Sequence, residues 1–176
     1  MSQTKLILGI GILVVILGAA YYTYNTYASG TLAVKITDPP KEWGNATHVY
    51  VLYSAISVHK AGEGNETGWS TVVQSEGWVN LRDAINATKT LGSNALQPGT
   101  YNLIRFEIKE TKVTVGGQNY TATVARGKLN IAILQGGVTI KAGQTTSVVI
   151  DITPKVVGSP TQGFRVVPAA KAFPQP

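Results

Sequence analysis

The chain has no cysteine. That absence removes disulfides, thiolate metal ligands and cysteine nucleophiles, and with them a blue-copper centre, which needs a cysteine ligand. Acidic groups are scarce, nine against fifteen Lys and Arg. The resulting net charge of +6 and pI near 9.6 would suit an anionic partner. However, only 14% of residues are charged and the basic ones are scattered, so nucleic acid is not expected as a partner. There are two histidines, His48 and His59. They fall eleven positions apart on one expected strand and so on opposite faces, and a shared metal site would need a bulge between them. No G-x-S-x-G setting supports a serine nucleophile. Glu107/Glu110 and Glu63/Glu66 read as solvated faces, not as acid–base pairs. Gly116-Gly117 and Gly136-Gly137 are turns and not phosphate loops, because no helix is expected to follow them. The expectation is a non-enzymatic chain without a cofactor or metal site.

What is present begins at the amino terminus. Residues 6–22, LILGIGILVVILGAAYY, form one apolar run preceded by a single charge, Lys5. As a helix the run extends roughly 25 Å, close to the roughly 30 Å hydrocarbon core of a bilayer. It reads as a membrane-lipid anchor, with Tyr21, Tyr22, Tyr24 and Tyr27 at the membrane interface, where amphipathic rings are favoured. Lys5 places the amino terminus in the cytoplasm and the remainder outside. A cleaved signal, cut after Ala20, is the competing reading and makes the protein secreted.

After Gly30 the pattern is that of short strands. Leu32, Val34 and Ile36 alternate on one face. A long strand over residues 48–60 changes parity near Tyr53–Ile56, which predicts a bulge. Residues 61–68 read as an exposed loop, residues 69–73 and 77–81 as strands, and residues 82–96 as the least β-like stretch. In residues 100–109, Ile104, Phe106 and Ile108 point in while Arg105, Glu107 and Lys109 point out. Gly116-Gly117 between KVTV and QNYTATV predicts a two-residue hairpin. Further strands over residues 128–134, 138–140, 145–152 and 164–168 bring the total to nine or ten. The fold class is therefore all-β: an antiparallel sandwich, immunoglobulin-like or transthyretin-like, behind one amino-terminal helix. The expected organisation is an anchor or signal over residues 1–29, one extracytoplasmic domain over residues 30–171, and a frayed tail over residues 172–176.

A set of motifs runs through this domain. Gly30-Thr31-Leu32-x-Val34-x-Ile36-Thr37-Asp38-x-Pro40 opens it, and Gly68-Trp69 and Val79-Asn80-Leu81 follow. Pro98-Gly99-Thr100-Tyr101-x-x-Ile104-Arg105 lies at its centre, and Ala142-Gly143-Gln144 leads into the closing segment with Val167-Pro168. Together they resemble a family of exported prokaryotic domains of unknown function, found in archaeal and bacterial surface proteins and lipoproteins. The resemblance implies a β-sandwich outside the membrane with no established activity. Members often carry a lipobox cysteine. This chain has none, so the apolar leader serves alone.

Four N-x-T sequons, at Asn45, Asn65, Asn86 and Asn119, fall in or beside expected turns and are candidate glycosylation sites. Trp43, Trp69 and Trp78 could form an aromatic sugar platform, although packing explains them as well. Asp38 with Glu42 could hold calcium, although an Asx turn explains Asp38 equally. Residues 21–29, from Tyr21 to Ser29, would be helical in an anchor. Freed by cleavage, they could add as a strand to a neighbouring copy. Two functions follow: a membrane-anchored surface glycoprotein that binds envelope or membrane proteins, and a filament subunit assembled from copies of itself by strand exchange.

Overall fold

The computed structural model describes residues 3–37 and 43–175; within its helix, side chains are described from Ile10 to Tyr24. Helix α1 spans Gln3–Tyr27. Thirteen strands follow among the described residues: β1 Gly30–Thr37, β2 Ala46–Lys60, β3 Trp69–Val73, β4 Gly77–Asn80, β5 Lys89–Leu96, β6 Gly99–Val115, β7 Gln118–Val124, β8 Lys128–Ala132, β9 Val138–Ile140, β10 Thr145–Ile152, β11 Lys155–Ser159, β12 Gly163–Val167 and β13 Ala170–Gln175. A short 3-10 turn, Leu81–Ala84, sits between β4 and β5 and is capped by the Asn80 side chain, which accepts from the Arg82 amide.

The strands form two layers. The small sheet has the order β13-β10-β1-β5. The large one runs β11-β12-β7-β6-β2-β3, with β4 on β2, and β8 and β9 on β6. Alternation explains the layering. In β1 every second residue is buried, and Leu32, Val34 and Ile36 face the large sheet. From the other side come Val49, Val51, Ile56, Val58, Ile104 and Phe106. Each such side chain, fully withdrawn from water, contributes about 1.5–3 kcal/mol. The parity change in β2 is a real irregularity, since its register against β6 shifts on both sides of Tyr53. The Gly116-Gly117 hairpin is also found, with φ values of 59° and 81° at its two glycines.

Several expectations are corrected. The sandwich is not antiparallel throughout: β1 pairs with β10, and β12 with β7, in parallel, so both sheets are mixed. Periodicity reports which face of a strand is buried and not which strand lies beside it. Of the expected frayed tail, residues 172–176, the described residues 172–175 are strand; the strand, β13, begins at Ala170. It pairs along β10, with Ala172 fully buried. Residues 89–96 are a strand as well, held by β1 at the sheet edge. Their largely exposed positions carry no apolar alternation. Residues 100–109 and the first arm of the hairpin fuse into the single strand β6. Asp38 and Glu42, the calcium candidates, lie outside the described residues, as does the side chain of Tyr27.

The leader joins the sandwich at one end. The Ala28 amide donates to the Tyr24 carbonyl at 2.8 Å, the Gly143 amide to the Ser29 carbonyl at 3.0 Å, and the Thr31 amide to the Gln144 carbonyl at 2.8 Å. Gly30 is buried here, and a Cβ at this position would collide with the Lys141 carbonyl oxygen. Tyr21–Tyr27 is helical here, as expected for a chain that keeps its leader; the strand-exchange reading applies to a chain cut after Ala20. Among the described residues no helix is long and apolar enough to cross a membrane. The expected lipid-facing run, residues 6–22, begins outside the described side chains.

Candidate functional site

A cluster of His59, Trp69 and Arg105 lies on the outer face of the large sheet, at the end nearest the helix. Register places His59 opposite both Trp69 of β3 and Leu103 of β6. The His59 ring meets the Trp69 ring edge-on at 4.9 Å between centroids, and the Arg105 guanidinium stacks on Trp69 at 3.9 Å. Arg105 Nε reaches Asn130 Oδ1 of the neighbouring β8 at 3.5 Å.

This cluster clamps the loop over residues 61–68. Trp69 Nε1 donates to the Asn65 carbonyl at 2.9 Å, and His59 Nε2 lies 2.9 Å from the Gly64 carbonyl. A carbonyl only accepts, so His59 carries its proton on Nε2. Its Nδ1 is buried without a hydrogen-bond partner, in a residue only 5% exposed. The Lys60 amide donates to the Gly68 carbonyl and closes the loop base. Sequence parity placed Arg105 outward but gave no sign of this cluster, because cross-strand register between β2, β3 and β6 is a tertiary property.

The expected site residues are dispersed. His48 stacks on Tyr50 at 5.8 Å, near the far end of β2 from His59. The two histidines share no site, and the described residues contain no group of three metal-ligating side chains. Trp69 pairs with His59 and Trp78 with Leu52, seven residues along β2, which is about 23 Å at strand spacing. Trp43 lies before the start of β2 and lines a cavity of about 230 Å³ with Val115, Val156 and Phe164. The three tryptophans therefore make no common platform. Trp78 is 43% exposed beneath Lys112, whose ammonium lies 4.4 Å from the ring centroid.

The carboxylates are solvated partners of lysines: Glu107 with Lys128 at 3.0 Å, Glu110 with Lys112 at 3.3 Å, and Glu76 with Lys109. Asp151, on the outer face of the small sheet, is buried and bound to Lys171 at 3.2 Å. Burial raises the phenols of Tyr53 and Tyr101, which donate to the carbonyls of Leu91 and Gln97. Both act in the core. All four sequon asparagines are exposed: Asn45 before β2, Asn65 in the clamped loop, Asn86 after the 3-10 turn and Asn119 in β7. The side chains of Tyr21, Tyr22 and Tyr24 are exposed, at 73%, 70% and 58%.

No curated protein matches the sequence. One solved structure, from Bacteroides eggerthii and provisionally assigned to cell adhesion, aligns over 85% of this chain at 15% identity with a TM-score of 0.34. The alignment spans 57% of that protein's length. Residues 29–164 match the DUF4382 domain of unknown function. That match begins one residue before β1 and runs into β12, so the sandwich is a DUF4382 domain and the chain belongs to that family.

Proposed function

We propose that the chain is a non-enzymatic surface protein. In this reading α1 holds it in the membrane, and the sandwich outside binds other envelope or membrane proteins. The observation that carries the reading is the exposure of α1. Ile10, Ile12, Leu13, Val14, Val15, Ile16 and Leu17 are each 54–70% exposed, and they surround the helix on every side. A helix apolar all round needs an apolar surrounding, and the sandwich core is already closed by its own two sheets. Lipid supplies that surrounding, and the exposed tyrosines that follow suit the headgroup region. Glycine and tyrosine dilute the run, residues 6–22, without introducing a charge.

The test is fractionation of full-length protein from its source cells. Wild type should stay with membranes through alkaline carbonate washing and leave only in detergent. Ile12→Lys with Val15→Lys should move it to the soluble fraction, since charge near a bilayer centre costs about 2.5–3.5 kcal/mol per residue on insertion scales. Release of wild type by carbonate alone would overturn the anchor. Protease added to intact cells should cut the sandwich loops, and complete protection would overturn its placement outside.

A further inference from the structure

We propose that Asn45, Asn86 and Asn119 carry N-linked oligosaccharides that cap the end of the sandwich opposite the helix. The proposal rests on the reading of the domain as lying outside the membrane. The sequence spreads these sequons over more than seventy residues, and the fold brings them to one end. β1 starts at the helix with Gly30 and ends far from it with Thr37. β6 starts beside Ile140 at the helix end and finishes at Val115. At that far end Ala46 pairs with Val115, which puts Asn45 immediately beyond the pair. On the other side of β6, Asn119 pairs with Thr114, and Thr114 Oγ1 donates to Asn119 Oδ1 at 2.7 Å. Two strand spacings, about 10 Å, separate the two asparagines.

Asn86 belongs to the same end. The Thr37 hydroxyl at the tip of β1 donates to the Ala87 carbonyl at 2.9 Å. Arg82 Nη1 donates to the Thr47 carbonyl at 3.1 Å, tying the 3-10 turn to the first sequon. Asn86 itself adopts a φ of 54°, a conformation asparagine tolerates, and is exposed. Asn65 alone lies at the helix end, in the loop clamped by His59 and Trp69.

Charge distinguishes Asn45 and Asn119 as well. Residues 43–59 and 113–125, which hold Asn45 and Asn119, contain no Asp, Glu, Lys or Arg, whereas Asn86 lies between Asp83 and Lys89 and Asn65 between Glu63 and Glu66. A protein surface ordinarily relies on charged side chains for hydration and for resistance to association. Sugar hydroxyls add to that hydration beside the charges this end does hold, Arg82, Asp83 and Lys89. The donor is an oligosaccharide on a lipid-linked pyrophosphate. The asparagine Nδ2 bonds to the anomeric carbon, the bond from that carbon to the pyrophosphate oxygen breaks, and one amide proton is lost. The capped end is then closed to protein partners, which leaves the sheet faces for docking.

The test is intact mass and glycopeptide mapping of the full chain from source cells, with membrane and soluble fractions measured separately. Sugar increments on Asn45, Asn86 and Asn119 are expected. Asn45→Gln, Asn119→Gln and Asn86→Asp, the last because aspartate tolerates the same φ, should each remove one increment while leaving the circular dichroism spectrum unchanged. Bare peptides at the three sites, or sugar confined to Asn65, would overturn the proposal. A bare chain in membranes, with its sandwich open to external protease, would overturn the glycan cap alone. A bare chain in the cytosolic fraction would overturn the external location with it.

Discussion

Helix α1 and the sandwich use the same aliphatic residues in opposite ways. In α1, Ile, Leu and Val run consecutively from Ile12 to Leu17 and all remain exposed. In β1 the same types alternate with Ala, Lys and Thr, and each is fully buried. An unbroken apolar run gives a helix no polar side to turn toward water, whereas period-two alternation gives a strand one dry face and one wet face. The two regions thus differ in what they bury, and the described backbone bonds between them lie at the Gly30 junction. Their stabilities should separate accordingly.

The sharpest break of that comparison is a core truncation. Phe106 is 1% exposed between the sheets. Phe106→Ala should destabilise the sandwich by about 3–5 kcal/mol, read as a lowered denaturation midpoint in detergent, while Leu13→Ala should leave that midpoint within about 0.5 kcal/mol. Equal effects would mean that helix and sandwich unfold as one unit.

A smaller effect separates the helix end of the sandwich from its core. Trp69→Phe keeps an aromatic ring but removes the indole N–H bond to Asn65, a bond worth about 1 kcal/mol. Limited proteolysis within residues 61–68 should accelerate several-fold with little change in global unfolding. A large global loss would instead make the loop part of the core.

The mildest change comes from alkali. Tyr53 and Tyr101 have raised pKa values in the fold because burial disfavours the phenolate. Their contribution is full below the ordinary value of 10 and falls as pH rises through the raised folded values, since the unfolded chain releases those protons first. Sandwich stability should therefore decline above pH 10 while α1 keeps its helicity. Tyr53→Phe should flatten that decline, and an unchanged slope would exclude the phenol.

Much of the fold was legible locally. The β1 alternation, the β2 bulge and the Gly116-Gly117 hairpin depend on side-chain parity and on φ, both properties of a few consecutive residues. β5 and β13 were not legible, because KTLGSNAL and AKAFPQ owe their strand form to hydrogen bonds from β1 and β10. The same limit applied to the candidate sites. Exposure of the sequons could be anticipated from their turn-forming neighbours, but the stack of His59, Trp69 and Arg105 could not, since it depends on three strands in register.

The sequence by itself determined an apolar leader, an all-β body without thiol chemistry, and the faces that the recognisable strands bury, because each of these follows from composition or short-range period. Only the tertiary structure decided that β1 lies parallel to β10, that the tail completes the small sheet, and that Asn45, Asn86 and Asn119 share one end while Asn65 sits at the other. Those outcomes depend on which distant segments satisfy one another's backbone groups, and that choice is made by the closing of two sheets over a common core.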